Sequence, residues 1–166
     1  MDELEVNYII EKLTKIEYDN FINMFIDYFI NDMGVKYDVD KLKENLVKGF
    51  ILKSYEKNLI FIDVIKQDKP YGFIIYQIDK ETSDWNFKTG YGFIREFYIE
   101  RNCRGKGLGS LLLANAEKNL KNLGVKNVYL TSDEKEKVQA FYLKNNYKTR
   151  NIRCEINGNL IYEKSL

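Results

Sequence analysis

The chain has 166 residues, with 26 Lys plus Arg against 25 Asp plus Glu; it is long enough to bury a core without staples and too balanced for general nucleic-acid binding, which leaves a strong basic excess. It contains no histidine, which excludes Ser-His-Asp triads, Cys-His dyads and His-containing metal sites, so a general base has to be a carboxylate, a tyrosine, a perturbed lysine or a positioned water. Cys103 and Cys154 lack CxxC spacing and nothing resembles a secretory signal, so two free thiols in a cytoplasmic protein without a bound metal are expected.

In chain order, Leu4–Ile10 reads as a first strand. Glu17–Met33 carries Phe21, Ile22, Phe25, Phe29 and Ile30 at helical spacing, with Gly34 as its stop. Met24, Ile26 and Tyr28 make this helix apolar on nearly every side. Asp19, Asn23, Asp27 and Asp32 interrupt it, so it reads as a helix packed on two sides, not a membrane span. A second helix is expected over Asp40–Lys48, ending at Gly49. Leu59–Ile65 and Tyr71–Ile78 are strand-like, joined by a turn ending at Pro70. Glu81–Thr89 is a polar loop holding Trp85. Tyr91–Glu100 reads as a long strand with Phe93, Arg95, Phe97 and Ile99 on one face and Ile94, Glu96 and Tyr98 on the other. Leu108–Leu123 is a helix with Leu108, Leu112, Ala116, Leu120 and Leu123 along one stripe. A strand at Asn127–Thr131, a helix at Glu134–Lys144 and strands at Tyr147–Arg153 and Asn159–Lys164 follow. The order β-α-α-β-β-β-α-β-α-β-β predicts one α+β domain over the whole chain.

The chemistry concentrates at Gly105-Lys106-Gly107-Leu108-Gly109, between a strand and a helix. Alternating glycines let backbone amides approach a ligand, and the following helix adds unpaired amides and the positive end of its dipole. Together with Arg104 and Lys106 these make a pyrophosphate cradle. Lys106 is followed by Gly107 and position 100 is Glu100, so the P-loop pattern fails; the GxGxG spacing also fails the dinucleotide pattern.

The run Arg95-Glu96-Phe97-Tyr98-Ile99 followed by Arg104-x-x-Gly107-x-Gly109 resembles the signature of the Gcn5-related N-acetyltransferase (GNAT) family. Ala140-Phe141-Tyr142-Leu143-Lys144-Asn145-Asn146-Tyr147 is similar to the family's Phe-Tyr-x-x-x-Gly-Phe ending. Lys135 and Val138 stand where many members carry Asn and Ala.

The resemblance implies a three-layer α/β/α sandwich around a mixed, mostly antiparallel sheet, using acetyl-CoA as co-substrate. Phe97, Tyr98 and Ile99 would pair through their backbones with the pantetheine arm, a strand amide would stabilise the oxyanion, and the segment Arg104, Gly105, Lys106, Gly107, Leu108, Gly109, Ser110 would hold the pyrophosphate. Glu96 is the candidate base or water-orienting carboxylate, and Tyr142 the candidate acid toward the leaving thiolate. Cys103 is read as a passive thiol. Asp27, Asp32, Tyr28, Tyr37 and Trp85 would wall an acceptor site suited to a cationic amine such as a polyamine, an aminoglycoside or a lysine-like side chain. The alternatives are acetylation of a protein or peptide and a catalytically silent acetyl-CoA-binding module. No nucleic-acid or membrane partner is expected. The apolar first helix and the late strands offer faces for a homodimer.

Overall fold

A computed structural model describes residues 8–34, 36, 38–55, 60–132 and 134–166. The elements are β1 (Ile9–Lys12), α1 (Tyr18–Asp27), α2 (Val39–Leu46), α3 (Leu52–Tyr55), β2 (Phe61–Lys66), β3 (Pro70–Ile78), β4 (Gly92–Ile99), α4 (Leu108–Asn122), β5 (Asn127–Ser132), α5 (Glu136–Lys144), β6 (Lys148–Arg153) and β7 (Leu160–Ser165). The strands form one seven-stranded sheet in the order β1-β2-β3-β4-β5-β7-β6. Among the described residues only β4 and β5 run parallel; the other pairings are antiparallel. This is the α+β architecture expected from the element order, with the mixed, mostly antiparallel sheet that the family resemblance implies.

Several boundaries differ from expectation. The first strand lies later, at Ile9–Lys12, and residues 4–7 of the expected span are outside the described residues. Gly49 does not stop the second helix. Its φ is not left-handed, and the chain passes through a π-helical turn, Val47–Ile51, into α3. α1 likewise widens into a π-helical turn at Tyr28–Asp32 before Gly34, at φ +66°, ends it. Leu123, placed by periodicity on the buried stripe of α4, is exposed beyond the helix end.

Two cores hold the layers. On one face Leu112, Leu113, Ala116 and Leu120 of α4 pack on Ile74, Tyr76, Ile94, Val128 and Leu130. On the other, Phe21, Phe25, Leu42 and Leu46 of α1 and α2 pack on Ile62, Val64, Phe73 and Ile75. Each fully buried side chain of this size stabilises the fold by about 1.5–3 kcal/mol.

The far half of the second face has no helix over it. There the loop after β3 covers a small cluster of Phe93, Tyr129, Cys154 and Ile161. Fully buried Asp79 organises that loop by accepting from the Phe87 and Lys88 amides, each at 3.0 Å, and from the Tyr129 hydroxyl. Trp85 stacks on Phe93, with centroids 5.2 Å apart, and donates Nε1–H to the Tyr129 hydroxyl at 3.0 Å. It is therefore a packing residue of this cluster.

The decisive irregularity lies in β4. Ile75 of β3 pairs with Glu96, whereas the next residue, Tyr76, pairs with Ile94, so Arg95 is an extra residue, a β-bulge. The bulge breaks the alternation read from the sequence. Ile94, Phe97 and Ile99 face α4, while Phe93 and Tyr98 belong to clusters of the other face. Arg95 donates Nη1–H to Gln77 Oε1 at 2.7 Å, meets Asp84 at 3.2 Å and lies 5.0 Å over the Phe50 ring.

Candidate active site

Beyond the bulge, β4 parts from β5. Their pairing covers only Gly92–Ile94 against Val128–Leu130, while β5 continues along β7 to Ser132. The Glu100 amide donates to the Tyr71 carbonyl of the β3 side at 2.8 Å. By strand alternation the backbone groups of Tyr98 and Glu96 then also face β3, and those of Phe97 and Ile99 face the opening. Of the three residues expected to pair with an inserted arm, Phe97 and Ile99 have that orientation. The Tyr98 backbone is spent on Phe73, and Tyr98 contributes its ring to the wall instead.

The opening is a cleft of about 990 Å³. One end is formed by the glycine segment, where Gly105 and Gly107 adopt φ +79° and +81° with open space where a Cβ would stand. Gly107 is the residue before α4, and no side chain caps the helix. The first bond of the helix runs from the Leu111 amide to the Gly107 carbonyl at 3.2 Å. The amides of Leu108, Gly109 and Ser110 therefore lack intrahelical acceptors, and all three residues line the cleft. Gly109 lies close to the aromatic wall: a Cβ there would stand in contact with the rings of Phe97 and Phe141, at 3.4 Å. Lys106 does not line the cleft.

Arg104 faces inward. Its Nε donates to the Ile99 carbonyl at 2.6 Å and its Nη2 to Asp32 Oδ2 at 2.7 Å, and its guanidinium sits 5.5 Å over the Tyr98 ring. Tyr98 donates its hydroxyl to Asp27 Oδ2 at 2.6 Å. That bond, with a second from Asn31, holds the Asp27 carboxyl below the usual range. The end of α1 is thus tied across the cleft to the strand and the loop. Tyr37, the remaining expected acceptor residue of this region, lies outside the described residues.

Glu96 is half-buried on the α1 side of β4, immediately behind the cleft wall. Burial pushes its carboxyl up to about 7, against smaller opposing pulls from the Tyr28 hydroxyl and the Arg95 charge. Tyr28, the first residue of the π turn, does line the cleft. Its own ionisation is pushed far up, by burial first and then by the negative charge of Glu96. Opposite, Tyr142 of α5 lines the cleft, its ring packed on Phe141, Tyr147 and Tyr162 at 5.2–5.8 Å.

The family model of the acetyltransferase (GNAT) family matches residues 19–147. The chain belongs to this family. Its structure is similar to that of the PaiA N-acetyltransferase of Thermoplasma acidophilum in complex with coenzyme A, with TM-score 0.72 and 19% identity, covering 96% of this chain and 99% of that one. PH1933 of Pyrococcus horikoshii matches with TM-score 0.72 and 23% identity over 96% and 99%. A ribosomal-protein-alanine N-acetyltransferase of Brucella melitensis matches with TM-score 0.72 and 14% identity over 95% and 99%. A comparison with curated proteins finds no match.

As a GNAT member the protein is an acetyl-CoA-dependent N-acyltransferase, and its cleft fits that ligand. An unpaired strand edge, three free helix amides and two side-chain-free glycines suit an amide-bearing arm followed by phosphates. The GNAT departures also fall in the cleft: Lys135 is the residue before α5 and Val138 lies in its first turn, both in the wall. Cys103 is buried among Ile99 and Leu108, and Cys154 in the loop-covered cluster. Sequence reasoning assigned Tyr28 to an acceptor wall and missed its contact with Glu96. No local signal marks it, because Glu96 lies on a distant strand that no spacing along α1 encodes.

Proposed function

We propose that the protein acetylates the primary amine of a small cationic molecule in the cytoplasm, with Glu96 as base and Tyr142 as acid. One observation carries the small-molecule reading: the Asp32–Arg104 bond ties α1 over the cleft, which suits an enclosed acceptor space better than a groove for an extended polypeptide. Acetyl-CoA supplies an activated acetyl thioester. The acceptor ammonium gives up its proton toward Glu96, by way of the Tyr28 hydroxyl or a water, because Glu96 stands behind the wall. A carboxylate titrating near 7 is matched to that task. The Phe97 amide, facing the opening, can donate to the oxygen of the reacting carbonyl. The neutral amine nitrogen forms the new N–C bond as the C–S bond breaks, Tyr142 donates its proton to the departing sulfur, and the proton that the nitrogen sheds on becoming an amide returns through water to the Tyr142 phenolate.

The test is a pH profile of kcat/KM on a panel of polyamines, aminoglycosides and short peptides. Activity should favour the small amines and rise with pH through about 7, as Glu96 ionises. Glu96→Gln should flatten that limb and lower activity at pH 8 roughly 10- to 100-fold. Turnover of peptides alone would replace the acceptor assignment. Tight acetyl-CoA binding with no turnover on any amine would favour a silent binding module.

A further inference from the structure

The Phe-Tyr-x-x-x-Gly-Phe ending of the family closes differently in this chain, with Asn146 and Tyr147 in place of Gly and Phe. Asn146 still takes a left-handed backbone, at φ +69°, which asparagine tolerates. The change that adds chemistry is the Tyr147 hydroxyl. Tyr147 is 1% exposed, and a hydroxyl so buried is costly unless it is bonded. It donates to Glu117 Oε2 of α4 at 2.7 Å. Glu117 is itself buried, and its other oxygen accepts from Lys164 Nζ of β7 at 2.8 Å. Lys164 also stands 5.6 Å from the centre of the Tyr147 ring. Burial, and then the charge of Glu117, push the Tyr147 ionisation far up, so its hydroxyl stays a donor. One buried carboxylate thus joins α4, β7 and the segment after α5, and it has no part in the proton transfers described above.

What this carboxylate holds in place is the back of the candidate acid. The Tyr147 amide donates to the Tyr142 carbonyl at 3.0 Å. The two rings meet edge to face, with centroids 5.8 Å apart and planes at 70°. Tyr142 lines the cleft, whereas Glu117 and Tyr147 lie behind it. A phenol that must reach a departing sulfur works only within a narrow range of position and angle. Ring contacts alone restrain a side chain weakly along the ring plane, because packing has no preferred direction there. The Glu117 bond adds that direction. It pins the far end of the Tyr147 ring, and Lys164 balances the charge that makes the bond strong.

We propose that Tyr147 and Glu117 are positioning residues of the transfer reaction: the hydrogen bond between them fixes the ring against which Tyr142 is aimed at the leaving sulfur. This rests on Tyr142 being the acid. Steady-state kinetics with the most active amine of the panel, beside calorimetry with acetyl-CoA, test it in a cycle of Tyr147→Phe, Tyr142→Phe and the double variant. Tyr147→Phe keeps the ring and restores the residue of the family ending, so it should fold with unchanged circular dichroism. Its kcat should fall about 3- to 10-fold through the lost aim. Its acetyl-CoA Kd should stay within about twofold, because the change touches no wall of the cleft. In the Tyr142→Phe background the same substitution should cost nothing further, since a residue that acts through another is silent once that one is gone. Glu117→Gln, which keeps an acceptor for the Tyr147 hydroxyl, should retain more of kcat than Glu117→Ala. Wild-type kcat in Tyr147→Phe would overturn the proposal. So would an equal loss in both backgrounds, or a matching loss of acetyl-CoA affinity, since either marks a general structural role. Wild-type kcat in Tyr142→Phe would instead overturn the acid assignment itself.

Discussion

β4 is two strands in one. Before Arg95, residues Gly92–Ile94 are paired on both sides, with β3 and β5; after it, Glu96–Ile99 are paired with β3 alone. The first part is core, with Phe93 and Ile94 buried between neighbours. The second part presents an edge with no partner strand, its Ile99 carbonyl taken by Arg104, to a cleft whose ligand can pair with the rest of it; an open edge is normally a liability in a sheet. One extra residue separates the two, and it also moves Glu96 to the α1 face beside Tyr28. A single bulge thus creates both the binding edge and the placement of the candidate base.

Deleting Arg95 should break the comparison outright. Without the extra residue, β4 would run as a regular strand along β3, with Ile94, Phe97 and Ile99 keeping the α4 face and Tyr98 the other, but without the local bend that parts it from β5. Acetyl-CoA affinity should fall at least about 100-fold even in molecules that retain their circular dichroism, because the straightened strand end would close the binding edge against β5. Calorimetry on the refolded variant measures it.

Tyr142→Phe probes the far wall of the opening without touching the strand. The ring contacts with Tyr147 and Tyr162 survive the change, so the acetyl-CoA Kd should hold while kcat drops about 100-fold. A stopped assay under saturating acetyl-CoA separates the two.

Glu96→Gln sharpens the contrast through stability. The Glu96 carboxyl is raised from 4.5 to about 7 in the fold. Between these values the folded chain holds a proton that the unfolded chain has lost, so wild-type stability falls as pH rises through this window and stays lower above it. Glutamine cannot ionise. Its Tm should exceed wild type by a few degrees at pH 8, with the gain vanishing near pH 4, as differential scanning calorimetry would record.

The smallest effect belongs to the fully paired half. Gly92→Ala would set a Cβ 2.7 Å from the Leu120 side chain, an overpacking that costs about 1 kcal/mol because a flexible leucine end can yield. The Tm should fall roughly 2–4 °C for that cost. The Kd for acetyl-CoA should not move. A matching loss of affinity would mean that the two halves of β4 are not separable.

How much of this was legible beforehand varies with the range of the forces involved. The glycine segment was fully readable, since left-handed backbone at Gly105 and Gly107 and a bare helix start at Leu108 are local properties. The packing of Trp85 on Phe93 was not legible, because an aromatic in a polar loop carries no mark of what it will stack on. Asp79, the buried acceptor that fastens that loop, was not singled out at all. Arg104 was read as a phosphate ligand from its place in the motif. Its commitment to Asp32, 72 residues away in sequence, depends on a chain crossing that no spacing encodes.

By itself, then, the amino-acid order determined the α+β class, most of the element sequence, the cradle before α4 and the likeness to acetyltransferases, because these follow from periodicity, backbone freedom and short-range motif chemistry; the mixed sheet came with that likeness. Only the tertiary structure decided which face Glu96 takes, which backbone edge lies open, and which side chains pair across the cleft. Those depend on a bulge in β4 against β3 and on contacts between α1, its π turn, the strand and the loop. Each is a competition between distant partners that is resolved only when the chain closes on itself.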